Sequence, residues 1–289
     1  MTTDQPRSTE ADMHVAAYLR DRDFDWYAAL QFAPAGKRPD LMALFAYLAE
    51  IGRVRGQVSE PMPGEIRLQW WRDALTGTAH GAVEANPLAH RLLEAIERHA
   101  IPTAPLLAVL DGRTFDLYDD AMPSKGDFEG YAGEVWSGPI SLAASILSGH
   151  SPARFADAAG HGGVALTVVR TLESFPTWTA RGQCFLPKDL MEEAGLARDV
   201  LRAGQPTEEL TNALVRFAAY GAEHLDKSAQ SLREMPRAAY PGFLPLALVR
   251  SSLKATPRWA ANPFAKPLSM PRWRRLYGLW RASKRMPDI

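Results

Sequence analysis

Four aspartates between residues 111 and 120 have a spacing that could serve metal chemistry. Asp116 lies three and four residues before Asp119 and Asp120, a separation that brings side chains to one face of a helix, and Asp111 precedes them. Carboxylate oxygens are the ligands that magnesium takes in proteins. The run could therefore hold a cation, although a charge run of this kind is usually a solvated helix face.

Two arginines near the middle of the first third of the chain could bind an anion. Arg53 and Arg55 are two residues apart, and a guanidinium group matches phosphate oxygens in bidentate fashion. The alternative is that both are solvated or form salt bridges, for instance to Glu50 or Glu60.

The C-terminal segment combines aromatic and basic side chains at helical spacing. Its apolar residues recur at i, i+3, i+4 and i+7 and are Trp273, Leu276, Tyr277 and Trp280, while Arg272, Arg274, Arg275, Arg281, Lys284 and Arg285 surround them. A basic amphipathic helix with aromatic anchors can lie on an anionic membrane surface. The favoured alternative is that the stripe packs on the domain as its last core helix. The membrane-surface candidates are Trp273, Arg274, Tyr277 and Trp280.

The remaining reactive residue types favour structural roles. Cys184 is the only cysteine, which excludes an internal disulfide and a thiolate zinc site, and its apolar neighbours predict a buried small hydrophobe. His161 precedes Gly162 and Gly163, where capping or hydrogen bonding is the simpler role and where glycines allow close helix packing.

Helical periodicity dominates the elements that must position these residues. Leu41, Leu44, Phe45, Leu48 and Ile51 form one face of a helix with Pro39 in its first turn. A helix beginning near Pro63 is apolar nearly all round and is expected to be buried. Further helices are predicted over 87–100, 105–118, 128–147, 152–172, 207–233, 243–253 and 271–284, with the proline-dotted run 256–271 as a loop.

The predicted architecture is a single all-α domain. Residues 1–11 are polar and predict a disordered tail without a secretory signal, and residues 12–289 form the domain. No stretch approaches the roughly 20 apolar residues of a membrane-spanning helix. Lys+Arg and Asp+Glu are equal at 33 each, so the charge balance does not favour a nucleic-acid partner.

Two segments resemble the helices that carry the aspartate-rich motifs of squalene and phytoene synthases. They are Phe45–Gly56 and Gly162–Phe175, the second continued by Arg181–Pro187. Weaker matches at 110–117, 131–138 and 185–196 extend the resemblance over roughly Phe24 to Leu253. It implies the isoprenoid synthase helical bundle around a central apolar cavity.

The acidic motifs themselves are missing from both segments. In that family two aspartates about one turn apart on each helix hold magnesium against a substrate diphosphate. Here the first set falls on Gly52, Arg53 and Gly56, and the second falls on apolar or neutral residues apart from Glu173. Since magnesium needs several oxygen ligands, the sequence predicts lost metal chemistry and no cofactor.

A narrower resemblance explains these departures. Ala49–Glu60 and Ile66–Trp71 are similar to the branch of the family that lacks the aspartates and includes the mitochondrial complex I assembly factor. That resemblance implies a non-catalytic cytoplasmic protein, peripheral at the inner face of the membrane, whose partners would be complex I subunits and a prenyl or quinone-like lipid. Candidate cavity residues are Tyr47, Glu50, Arg53, Tyr131, Thr167, Arg170 and Glu173. The alternative is an active magnesium-dependent head-to-head prenyltransferase that uses the 111–120 run.

Overall fold

A computed structural model describes residues 9–79 and 81–286 of the chain. The α-helices of these residues, in chain order, are α1 (Thr9–Arg22), α2 (Phe24–Leu30), α3 (Arg38–Ile51), α4 (Pro61–Thr76), α5 (Pro87–His99), α6 (Ala104–Phe115), α7 (Lys125–Ala132), α8 (Gly138–Ser148), α9 (Ala156–Glu173), α10 (Phe175–Ala180), α11 (Lys188–Glu193), α12 (Arg198–Ala203), α13 (Glu208–Leu232), α14 (Leu246–Ala260) and α15 (Arg272–Arg285). A π-helical segment, Gly133–Ser137, joins α7 to α8, and a 3₁₀ turn, Val54–Gln57, follows α3. Within the described ranges no β-strand forms, which confirms the all-α prediction.

Helix α3 lies in the centre of the core. Its predicted apolar face is confirmed, and Pro39 lies in its first turn. Phe45 of α3 stacks on Trp26 of α2 with ring centroids 3.6 Å apart, and the nearly parallel ring of Trp136 in the π segment lies 6.1 Å from that of Trp26. This aromatic stack fixes α2, α3 and the π segment against one another.

Helix α9 packs on its neighbours through glycines, as the sequence predicted. A Cβ placed on Gly163 would lie 2.8 Å from the backbone nitrogen of Ser137 in the π segment. On the long helix α13, a Cβ on Gly221 would lie 2.8 Å from Val168 of α9. Since real Cβ atoms essentially never come this close to other atoms, only glycine permits these helix separations.

Two helix predictions need correction. Helix α4 is not buried all round, because Met62 and Ile66 are 69% and 65% exposed while Leu68, Trp71 and Leu75 face the core. Helix α14 continues through Pro257 to Ala260, inside the run predicted as a loop. Hydrophobic burial of Trp259 and Ala260 holds this last turn, so tertiary packing overrides the missing proline N–H.

The C-terminal helix docks in the opposite orientation to the favoured expectation. Leu279 and Ala282 of α15 pack against Ala28, Ala29 and Leu248, whereas the aromatic stripe faces outward. Its members Trp273, Leu276, Tyr277 and Trp280 are each about half exposed or more. Arg275, expected in solvent, forms a 2.5 Å ion pair with the buried Asp25.

The first helix begins inside the segment predicted as a disordered tail. Residues 1–8 of the predicted tail lie outside the described residues, and α1 begins at Thr9, within the last three residues of that range. None of the helices in the described ranges has the length and apolar character needed to cross a bilayer.

Candidate functional site

A cavity of about 320 Å³ opens between the C-terminal ends of α3, α6 and α9 and the loop that follows α10. Its volume is at the lower end of the roughly 300–1,000 Å³ typical of small-molecule sites. Apolar lining comes from Trp136, Trp178 and Phe185. Of the residues that the structure describes, five arginines line the same cavity, namely Arg53, Arg55, Arg113, Arg170 and Arg181, together with one carboxylate, Asp116.

The first wall of the cavity forms where α3 ends. Gly52 caps this helix with its N–H donated to the carbonyl oxygen of Leu48 at 2.9 Å, and the chain then enters the 3₁₀ turn. A Cβ on Gly52 would lie 3.5 Å from Nη2 of Arg113, and a Cβ on Gly56 would lie 3.7 Å from Nη2 of Arg181. A guanidinium group therefore lies directly beside each of these glycines.

The opposite wall is the last turn of α9. Arg170 donates hydrogen bonds to both carboxylate oxygens of Asp23, at 2.9 and 2.8 Å, and lies 3.7 Å from Glu173. Burial lowers the pKa of Arg170, but Asp23 and Glu173 more than offset this, so the pKa lies above its ordinary value. Burial raises the pKa of Glu173, against the opposing effects of Arg170 and Arg275. Arg170 is thus a permanently charged residue held by two acids.

The floor of the cavity is a hydrogen-bonded triad from α6 and α7. Arg113 Nη1 donates to Asp116 Oδ2 at 2.9 Å and to the hydroxyl of Tyr131 at 2.7 Å. The Tyr131 hydroxyl in turn donates to Asp116 Oδ1 at 2.8 Å. Burial and the adjacent carboxylate of Asp116 raise the pKa of Tyr131, although Arg113 opposes them. Tyr131 therefore stays protonated and acts as a donor.

The structure brings together some of the residues predicted for the cavity. Arg53, Tyr131, Thr167 and Arg170 line it. Thr167 donates its hydroxyl to the carbonyl of Gly163 at 2.7 Å, so it closes the α9 wall rather than offering a donor.

The other three predicted residues lie away from the cavity. Tyr47 is completely buried and donates to the carbonyl oxygen of Leu106 at 2.8 Å. Glu50 accepts a hydrogen bond from Tyr18. Glu173 lies behind Arg170, where it also approaches Arg275 at 3.6 Å. Tyr47 and Glu50 lie on the motif helix α3, but the rotation of the helix directs their side chains to Leu106 and Tyr18 instead of the cavity.

The acidic run 111–120 is divided among different partners. Asp111 pairs with Arg72 at 2.5 Å, Asp116 belongs to the triad, and Asp119 lies 3.7 Å from Arg55. Across the described ranges no group of three or more histidine, cysteine or acidic side chains has a geometry that could hold a metal ion.

Sequence reasoning missed three residues that build the site. Arg113 and Arg181 supply the guanidinium groups beside the glycines, and Asp23 fixes Arg170 from 147 positions away. The family resemblance could have identified two of them, because Arg113 lies inside the matched segment 110–117 and Arg181 is the first residue of the matched segment 181–187.

The sequence model of squalene/phytoene synthase matches residues 19–276 of the chain. The chain belongs to the squalene/phytoene synthase family. The NADH dehydrogenase (ubiquinone) complex I assembly factor 6 of Rattus norvegicus is 29% identical over 254 residues, which cover 88% of this chain and 76% of that protein. The Homo sapiens protein of the same name is 28% identical over the same shares of both chains.

The fold of the family is also found in a solved structure. The crystal structure of a dehydrosqualene synthase in complex with ligand aligns with a TM-score of 0.83 at 15% identity, over 97% of this chain and 98% of that one. The predicted isoprenoid synthase bundle is therefore confirmed. The resemblance predicts the first acidic motif at positions that include Gly52 and Gly56, and the structure shows a guanidinium group beside each of these glycines.

Proposed function

We propose that this protein is a non-catalytic member of the squalene/phytoene synthase family that assists the assembly of respiratory complex I. Its similarity to proteins named complex I assembly factor 6 extends over most of the chain and supports the assembly role. The single observation that carries the non-catalytic part is the placement of Arg113 and Arg181 beside Gly52 and Gly56.

The proposal follows from the electrostatics of diphosphate ionisation. Departure of a diphosphate leaves negative charge that bound magnesium neutralises, and proteins usually hold such a magnesium ion through one or two carboxylates. Beside Gly52 and Gly56 the nearest charged groups are cations, which repel a divalent metal. Loss of one preorganised electrostatic contact typically raises a barrier by about 3 kcal/mol, so loss of the whole set removes useful turnover.

The first test is diphosphate release from farnesyl and geranylgeranyl diphosphate in the presence of magnesium. We expect release at the background rate from protein whose circular dichroism shows a folded helical domain. Turnover above background would refute the non-catalytic proposal and favour the head-to-head prenyltransferase, with Asp111, Asp119 and Asp120 as the acids to replace first.

The assembly role has a separate test in the source organism. Deletion of the gene should lower the amount of assembled complex I on native gels, and the wild-type gene should restore it. The triple variant D111N/D119N/D120N should restore assembly equally well, because a scaffold does not need these exposed acids. Unchanged complex I in the deletion strain would contradict the assembly role whatever the result of the enzyme assay.

We further propose that the protein works at an anionic membrane surface through α15. A groove of about 680 Å³ between α14 and α15 is lined by Trp273 and Tyr277 and by five basic residues, and no carboxylate of the described ranges lines it. These basic residues are Arg250, Lys254, Arg274, Arg281 and Arg285. Basic residues near an anionic bilayer contribute roughly 1 kcal/mol each, and interfacial aromatic rings add apolar burial.

Cosedimentation with lipid vesicles tests this surface. The wild-type protein should bind phosphatidylserine-containing vesicles more strongly than neutral ones, and added salt should weaken the binding. The W273A/W280A variant should lose most of it. The control M62A/I66A removes two apolar side chains of α4 that are at least as exposed as the tryptophans, and it should bind like the wild type. Equal binding of both double variants would contradict the role of α15.

A further inference from the structure

The arginines that line the cavity are not all engaged by acids. Arg113 and Arg170 are held by Asp116 and by Asp23. In the described part of the chain, Arg53 and Arg181 have no carboxylate oxygen within the 4.0 Å that defines an ion pair. The cavity therefore contains two cations without an acid partner.

Arg55 is only weakly paired. Its Nη2 lies 3.7 Å from Asp119, whose side chain is 64% exposed, so water screens this contact. Its buried Nε has no hydrogen-bond partner among the described residues, and the same holds for Nε of Arg113 on the cavity floor. Buried guanidinium donors without partners are unusual, because desolvating a donor without replacing its hydrogen bond costs free energy.

The nearest acid in sequence does not supply the missing charge. Glu50 lies on the last turn of α3 but accepts a hydrogen bond from Tyr18. Positions 52 and 56 are glycines and supply no carboxylate, and the guanidinium groups of Arg113 and Arg181 lie beside them. The site is thus organised to receive negative charge from outside the chain.

We infer that this cavity binds a phosphate-bearing ligand directly through Arg53, Arg55 and Arg181, without a divalent metal. Guanidinium groups bind phosphate oxygens in bidentate, charge-assisted pairs, and a diphosphate offers enough oxygens for three of them. The cavity of about 320 Å³ accommodates such a headgroup, with Trp178 and Phe185 beside it for an apolar substituent. The inference rests on the proposed absence of metal-dependent turnover, and it specifies the ligand chemistry of the same cavity.

The measurement is calorimetric titration of the full chain with inorganic diphosphate in EDTA and, separately, in magnesium. We expect binding in EDTA that magnesium does not strengthen, and weaker binding at higher ionic strength. Farnesyl diphosphate and farnesol form the other two arms. If inorganic diphosphate and farnesyl diphosphate bind with equal affinity, the ligand is a free anion. If farnesyl diphosphate binds at least tenfold more tightly, the ligand is a lipid headgroup.

Variants locate the site. R53Q/R181Q should weaken diphosphate binding by about tenfold per arginine, since hydrogen bonds to charged groups have this strength. The control R202Q removes an arginine from α12 that is 61% exposed and should bind like the wild type. G56D places a carboxylate beside Arg181 and should abolish binding, whereas the neutral isostere G56N should retain most of it.

The outcomes separate this inference from the proposed function. Binding that requires magnesium, or equal binding by R53Q/R181Q and the wild type, would overturn the inference and leave the non-catalytic proposal intact. Turnover of farnesyl diphosphate would instead overturn the proposed function. Thermal unfolding of each variant verifies that a loss of binding is not a loss of fold.

Discussion

The contact between α9 and the π segment permits a quantitative test with a control on the same helix. G163A adds one methyl group whose carbon would meet Oγ of Ser137 first and would lie 2.8 Å from the backbone nitrogen and 3.0 Å from Cα of the same residue. Even if the hydroxyl group rotates away, moving the contact with the backbone nitrogen from 2.8 Å to the 3.4 Å at which ordinary van der Waals contact begins requires a shift of 0.6 Å. Because the obstacle is backbone, the helices themselves must separate.

The magnitude follows from two opposing effects. Overpacking of this kind typically destabilises by about 1–3 kcal/mol, while replacing glycine by alanine within a helix stabilises by about 0.8–1 kcal/mol. G160A provides the second effect alone, because nothing lies within 4 Å of a Cβ at Gly160. The free energies of unfolding of G160A and G163A should therefore differ by the overpacking cost, about 1–3 kcal/mol, with G163A the less stable.

Urea unfolding followed by circular dichroism gives both free energies by linear extrapolation. If the two variants agree within about 0.5 kcal/mol, the reasoning fails, because the close approach of α9 would then not constrain the fold. A second readout is diphosphate binding. Arg170 lies seven residues after Gly163 on α9, so a displaced helix should also weaken binding in G163A but not in G160A.

Two further predictions concern buried charges. D23N removes one of the two acids that hold Arg170 and should lower the free energy of unfolding by about 2 kcal/mol in the same urea experiment. The control variant is D21N, which should have little effect because the side chain of Asp21 is 64% exposed. Burial, and then His161 at 3.0 Å, lower the pKa of His224 below its ordinary value of 6.5 despite Glu129. Folding therefore favours the neutral form of His224, and this stabilisation is complete above pH 6.5 and is lost as the pH falls below it. The melting temperature should fall with pH in this range, and it should fall less steeply in H224N. Parallel plots of melting temperature against pH for the two proteins would contradict this assignment.

The sequence predicted the helices with strong apolar periodicity and failed where tertiary packing decides. Helix α3 has five apolar residues on one face and forms as predicted. Helices α10, α11 and α12 have six residues each, too few for a periodic pattern, and they were missed. The last turn of α14 contains Pro257 and depends on burial of Trp259, which local sequence rules cannot anticipate.

Arg53, Tyr131, Thr167 and Arg170 line the cavity as predicted, and each lies in a segment that resembles the family. Arg53 follows from the motif frame alone. The convergence of Arg113 and Arg181 on Gly52 and Gly56 joins residues 61 and 125 positions apart, and periodicity has no information about such pairs. The prediction for α15 was wrong for a related reason. Its packing partners Leu248 and Ala28 are distant in sequence, and they contact Leu279 and Ala282 and not the larger aromatic stripe.

The charges around the two glycines also determine what a return to metal chemistry would require. Restoring aspartates in G52D/G56D would place carboxylates within reach of the Arg113 and Arg181 guanidinium groups, and an aspartate in that position forms an ion pair before it binds magnesium. Each such pair removes one prospective ligand, and a magnesium ion with fewer carboxylates stays hydrated in water. The double variant should therefore show no magnesium-dependent diphosphate release. Substitution at the glycines alone therefore does not create a magnesium site while Arg113 and Arg181 remain beside them.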